Sequence, residues 1–159
     1  MLVKDIMEKN VITLKPDDTL KEVVQKFSEN KISGAPVVDS DNLVIGIVSE
    51  ADIFRTLKED SREFRMVHMF PDAKMIGLSF EEVTTDKKTE EVLNDLGGIK
   101  ASEIMKKGVK TVGPEDQIKA VIDIVAKGLI NRVPVVENGK LIGIVSRGDI
   151  MKRLSEIVN

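Results

Sequence analysis

Two stretches of this chain place a serine hydroxyl and a carboxylate three residues apart, directly after a glycine-bearing apolar run. They are Gly46-Ile47-Val48-Ser49-Glu50-Ala51-Asp52 and Gly143-Ile144-Val145-Ser146-Arg147-Gly148-Asp149. The chemistry open to such a pair is first of all recognition. A serine hydroxyl beside the free amides of a helix N-terminus attracts phosphate. A carboxylate one turn later suits the paired hydroxyls of a ribose, and glycine in the preceding strand lets a flat base approach the backbone. The same residues also suit a plain structural role, with serine capping the helix and aspartate closing a capping box against the macrodipole. One occurrence favours the cap. Two occurrences in matching surroundings favour a nucleoside, its sugar on the aspartate and its phosphate near the serine.

The surroundings do match, because most of the chain is written twice. Ile6-Met7 returns as Ile104-Met105, and Val11, Thr13, Pro16 and Asp18 return as Val109, Thr111, Pro114 and Asp116. Pro36-Val37-Val38 returns as Pro134-Val135-Val136, an offset of 98 that becomes 97 between Gly46 and Gly143. A repeat of this length is a supersecondary unit whose apolar face needs a partner, so the two copies are expected to pack together and leave two related clefts. The boundaries read as 1–57 for the first repeat, 58–99 for a structured connection and 100–159 for the second repeat.

Each repeat predicts a β-α-β-β-α order, an α/β unit. Residues 11–14 and 109–112 read as short strands ended by Pro16 and Pro114. Thr19-Leu20-Lys21-Glu22 fits a capping box. Leu20, Val23, Val24 and Phe27 then fall on one helical stripe, copied by Ile118, Val121, Ile122 and Val125, with Gly128 as a stop. A hairpin follows, turned by Asp39-Ser40-Asp41-Asn42 in one copy and Glu137-Asn138-Gly139-Lys140 in the other; Asn-Gly is a strong hairpin signal. Proline within the first hairpin strand fits a sheet edge, so the backbone beside Pro36 and Pro134 is expected to be open to a ligand. A second helix begins at Ser49 or Ser146.

Composition excludes several classes. A net charge of −3 argues against nucleic acid, which needs a dense basic stripe. No apolar run is long enough to span a bilayer and no signal-peptide core follows Met1, so a cytoplasmic chain without membrane contact is expected. There is no cysteine and one histidine, His68, outside both repeats, which leaves a zinc or iron site without its usual ligands. The connection is too apolar for a disordered tether, with Phe64, Met66, Val67, Met69 and Phe70 followed by Met75, Ile76, Leu78 and Phe80. It reads as a strand at 74–80 and a helix at 89–96, packed over the repeats or serving as a dimer or partner contact.

On these motifs the two repeats resemble the cystathionine-β-synthase (CBS) domain family, and the chain resembles a stand-alone CBS pair, or Bateman module, its repeats related by pseudo-twofold symmetry. The resemblance covers both repeats and only loosely the connection. It implies adenosine derivatives as ligands: AMP, ADP, ATP, S-adenosylmethionine or methylthioadenosine. Carried over by position, it implicates Thr13, Ser33, Ala35, Pro36, Ser49 and Asp52 in one cleft, and Thr111, Asn131, Val133, Pro134, Ser146 and Asp149 in the other. It implies no catalytic residue, no resident cofactor or metal, and a disc-like homodimer that signals to an unidentified protein target.

The copies differ in charge at the site. Arg132 and Arg147 stand where the first repeat has Gly34 and Glu50. Arginine suits phosphate through charge-assisted, bidentate bonds, and glutamate opposes it. The Asp149 cleft is therefore expected to take a phosphorylated nucleotide, and the Asp52 cleft to stay empty or take a neutral or cationic adenosyl compound. Two other functions compete: a structural dimerisation unit without ligand, and a nucleotide-processing enzyme. The second lacks any general base or nucleophile recurring with the motif beyond Asp52 and Asp149.

Overall fold

The computed structural model describes residues 1–59, 97–128 and 130–158. His68 and the strand and helix expected at 74–80 and 89–96 lie outside the described residues. In chain order the elements are a 3-10 turn (Val3–Asp5), α1 (Leu20–Asn30), β1 (Gly34–Val38), β2 (Val44–Ser49), α2 (Glu50–Glu59), α3 (Ala101–Ile104), α4 (Ile118–Val125), β3 (Arg132–Glu137), β4 (Lys140–Ser146) and α5 (Arg147–Val158).

Helix α1 begins as its sequence dictates. Thr19 accepts from the Glu22 amide through its hydroxyl oxygen, and Glu22 accepts from the Thr19 amide at 2.7 Å. It ends at Lys31, in the left-handed region with φ 52°. Leu20, Val23 and Phe27 are buried, but Val24 faces outward, as does its counterpart Ile122 on α4. The predicted stripe is thus narrower by one position in each copy, because only one side of each helix has a sheet to cover.

Strands β1 and β2 pair antiparallel, as do β3 and β4, each with a bulge in the same place, after Val37 and after Val135. Asn138 and Gly139 both take positive φ (52° and 78°), the two-residue turn foreseen from Asn-Gly. The expected strands at 11–14 and 109–112 shrink to single parallel bridges, Leu14 to Val37 and Val112 to Val135. These bridges also close the edge beside the prolines. Leu14 donates its amide to the Pro36 carbonyl and Val112 to the Pro134 carbonyl, and both rings are fully buried. The open edge expected there is taken by the chain's own backbone.

The two halves exchange their opening arms. The Val3 amide donates to the Asp116 carbonyl and Lys4 to Pro114; symmetrically, Ala101 donates to Asp18 and Ser102 to Pro16. Val3, Ile6 and Met7 therefore pack in the second core, around Val121, Val133, Val135 and Val145. Ala101, Ile104 and Met105 pack in the first, around Leu14, Val23, Val37 and Val48. Burying one such aliphatic side chain contributes ~1.5–3 kcal/mol, so each core is held in part by the other repeat's arm.

Candidate functional site

Each cleft is assembled where a helix N-terminus meets a strand start. Gly34 pairs with Ser49 and the Glu50 amide donates to the Ser33 carbonyl at 3.0 Å. In the second copy Arg132 pairs with Ser146 and the Arg147 amide donates to the Asn131 carbonyl at 3.0 Å. The structure thus brings together Ser33, Ser49, Glu50 and Asp52, and separately Asn131, Arg132, Ser146, Arg147 and Asp149. Ala35 and Val133 point into the two hydrophobic cores, and with the buried Pro36 and Pro134 they can offer a ligand only backbone groups. Thr13 is half-buried and its carbonyl lies 3.4 Å from the Lys26 ammonium, while Thr111 is exposed.

Both aspartates close on their serines, the carboxylate half of the expected capping box; the serine half, the Asp149 amide donating to Ser146 Oγ at 3.3 Å, is found in the second copy. Ser49 donates its amide (2.8 Å) and its hydroxyl (2.7 Å) to Asp52 Oδ2. Ser146 donates the same pair to Asp149 Oδ2 at 2.7 and 2.6 Å. The outer oxygens differ. Asp52 Oδ1 accepts from Arg55 at 2.9 Å and has the Lys106 ammonium at 3.6 Å. Among the described residues Asp149 Oδ1 has no hydrogen-bond or ion-pair partner. Asp52 is also the more enclosed, 2% exposed against a half-buried Asp149.

The charge state of Asp52 follows. Burial alone would raise its pKa, but the Ser49 hydroxyl and amide, the Arg55 guanidinium and the Lys106 charge together carry it below the ordinary aspartate value. Neither cation was read from the sequence. Arg55 is one turn from Asp52 on the same helix, a signal that i,i+3 spacing could have supplied. Lys106 comes from the exchanged arm, where its backbone bridges Ile47. By the same exchange the Glu8 backbone bridges Ile144 in the second copy, but the exposed Glu8 carboxylate accepts from the Asn10 amide at 2.7 Å, so the arm brings a cation only to the first cleft among the described residues.

Arginine 132 is the other departure from symmetry. Its backbone belongs to the second cleft, opposite Ser146, yet its guanidinium crosses to the first repeat and donates to Ser33 Oγ at 2.5 Å. Gly34 leaves it room, since a Cβ there would stand 3.0 Å from Arg132 Nη1. Burial lowers its pKa, while the carboxylates of Glu50 and Asp149 pull the other way; an arginine stays charged throughout. Arg147 is exposed, its Nη1 3.3 Å from Asn131 Oδ1.

The strand glycines serve a purpose other than the one expected. Rather than admitting a flat base, Gly46 is covered by the Met105 side chain and Gly143 by Met7. Outside the clefts, an open groove of about 620 Å³ runs between α1 and α2, lined by Leu20, Val24, Phe27, Ile53 and Phe54 and touching the first cleft at Ser33 and Glu50. No described helix is long and apolar enough to cross a membrane.

Comparison with known proteins places this arrangement. The CBS-domain family matches residues 3–59 and 101–156. An uncharacterised protein of Methanocaldococcus jannaschii, MJ1426, is 35% identical over 158 residues, spanning 97% of this chain and 91% of its own. The CBS domain pair of protein MJ0100, solved in complex with 5′-methylthioadenosine and S-adenosyl-L-methionine, superposes with a TM-score of 0.72 at 22% identity, covering 99% of this chain and 98% of that one. CBSX2 from Arabidopsis thaliana, solved in complex with AMP, gives 0.70 at 20% over 99% and 98%. At those identities the likeness is one of fold. The reciprocal arms, the duplicated hairpin-and-helix unit and the match across both repeats have one meaning: the protein belongs to the CBS-domain family and carries two CBS domains in tandem.

Proposed function

We propose that this chain is a regulatory module that binds an adenosyl ligand, and that the cleft built on Asp149 is its principal site. The observation that carries this reading is that Asp149 Oδ1 has no hydrogen-bond or ion-pair partner among the described residues, on a carboxylate whose other oxygen is fixed by Ser146. A fixed carboxylate with a free oxygen is a ready acceptor for a ribose hydroxyl. Arg147 and Ser146 at the start of α5 then favour a phosphate, as does the dipole of that helix. AMP, ADP or ATP suits this cleft better than an uncharged nucleoside. Relatives of the same fold hold AMP, or methylthioadenosine with S-adenosylmethionine, which supports the adenosyl class.

The Asp52 cleft is the secondary site. Both oxygens of Asp52 are already engaged, Arg132 holds Ser33, and Glu50 opposes a phosphate. Recognition is favoured over turnover because each aspartate is anchored to its own serine rather than poised against a nucleophile. The test is calorimetric titration of nucleotide-free protein with AMP, ATP, S-adenosylmethionine and methylthioadenosine. Saturable AMP binding, lost in Asp149→Ala and kept in Asp52→Ala, is the expected result. Absence of heat with all four ligands would sink the reading and leave a structural module.

A second copy of this chain is the proposed partner of the outer helix face. Val24 and Ile122 are exposed at matching positions of α1 and α4, and Phe54 and Met151 at matching positions of α2 and α5. Apolar exposure repeated by the pseudo-twofold suits a symmetric, self-complementary contact. A homodimer built this way would carry the ligand's effect on the repeats to a further protein target.

A further inference from the structure

We propose that Arg132 is a two-position gate that couples the clefts: seated on Ser33 it closes the Asp52 cleft, and a ligand phosphate beside Ser146 in the Asp149 cleft draws it away. This rests on the reading of both clefts as adenosyl sites. The main chain of Arg132 faces Ser146 in the second cleft, while its guanidinium fills the space over Gly34 and donates to Ser33 Oγ in the first. That resting place is a weak one for a full charge. Ser33 offers a neutral oxygen, and among the described residues no carboxylate lies within ion-pairing distance of Arg132. Glu50 on one side and Asp149 on the other both attract it from longer range.

A phosphate in the second cleft changes the balance. It offers the planar fork of donors two charged acceptor oxygens, a bidentate ion pair in place of one bond to a neutral hydroxyl. Arg132 then leaves Ser33, and the room it vacates lies over Gly34, against the strand start that pairs with Ser49. The first cleft opens because the second has filled. Since linkage is reciprocal, a ligand in the first cleft must favour the second by the same factor. An unphosphorylated nucleoside at Asp149 gives Arg132 no such partner and leaves the gate shut, so the device distinguishes nucleotide from nucleoside.

The experiment isolates each cleft. In an Asp149→Ala chain, adenosine binding by calorimetry reports the Asp52 cleft alone, and adding Arg132→Ala is expected to tighten it about tenfold or more, because the competent state is no longer a minority. Equal affinity in the two chains, or no binding in either, overturns the gate. A second readout does not depend on removing Arg132. In an Asp52→Ala chain, Ser33→Ala is expected to tighten AMP at the Asp149 cleft about threefold or more, by releasing the arginine; unchanged or weaker AMP binding overturns the gate. If the unmodified chain binds AMP while both readouts stay flat, the coupling fails and the adenosyl reading stands. If the unmodified chain binds no AMP, both fall together.

Discussion

Met105, in the arm that opens the second repeat, lies on the bare backbone of Gly46 in the first. Its Sδ, Cγ and Cβ all come within 3.0 Å of the position a Cβ on Gly46 would take. Met7 covers Gly143 in the same way, its Sδ 2.7 Å from that position. The contact is a lock between repeats, and it makes a prediction about stability. Gly46→Ala has nowhere to put its methyl unless the whole Met105 side chain moves, so a loss of about 1–3 kcal/mol is expected in urea denaturation, the range for overpacking. Met105→Ala in the same chain should recover part of that loss. Strict additivity of the two changes would mean they do not touch.

The exchange also bears on the repeats as separate units. Residues 1–59 contain the first hairpin and its two helices but lack Ala101, Ile104 and Met105, which pack in that half's core. A fragment of residues 1–59 is expected to show no cooperative thermal transition by circular dichroism. Cooperative melting of that fragment would show that the arm is dispensable.

Asp52 sets a pH dependence. Its folded pKa is below the unfolded value of about 3.9, so its contribution to stability is complete above that pH and is lost as the pH falls through the folded value. Asp52→Asn is expected to cost about 1.5–3 kcal/mol at pH 7, the scale of hydrogen bonds to a charged group. The gap between the two chains should close progressively as the pH drops below about 4. Asp18, also lowered, with burial opposing it and Lys26 the main stabilising partner, titrates in both chains and cancels in the difference. A gap that stays constant with pH would show that Asp52 is not held ionised by Ser49, Arg55 and Lys106.

Much of this could be read from the residues. The two capping aspartates, the Thr19–Glu22 box and the Asn138-Gly139 turn are local, each specified within a few positions of itself. What escaped is what the exchange decides. Nothing near Met7 or Met105 in sequence says that its partner is a glycine in the other repeat, so the glycines were assigned to a ligand. Lys106 was invisible as a neighbour of Asp52 for the same reason. The expected strands at 11–14 and 109–112 had the right composition, but each found a single bridging position on a two-stranded hairpin. Arg132 was read correctly as a departure between copies, yet its guanidinium lies in the cleft opposite the one it was assigned to, passing over the bare backbone of Gly34.

Arg147 tests the phosphate side of the Asp149 cleft without touching the fold. It is exposed, and its side-chain hydrogen-bond partner among the described residues is Asn131, at 3.3 Å. Arg147→Ala should weaken AMP about tenfold, the loss of one charge-assisted contact of ~1.4 kcal/mol, and change adenosine by less than about twofold. Equal weakening of both ligands would place the arginine on the base or sugar, and no change would return it to the solvated surface.

The outer helix face gives the last prediction. Phe54 and Met151 are each 65% exposed, so replacing them costs the folded monomer little packing. In a symmetric dimer both residues recur on each partner, and a charge at either is buried twice. Phe54→Asp and Met151→Asp are therefore each expected to convert a dimer to a monomer in sedimentation velocity, with unaltered far-ultraviolet dichroism. The double substitution should do so completely at micromolar protein. A dimer that survives both changes is not built on this face, and the groove between α1 and α2 would then need another occupant. The pairing of Val24 with Ile122 and Phe54 with Met151 across the pseudo-twofold argues for the first outcome, because selection for one unrelated partner would have no reason to keep the same positions apolar in both repeats.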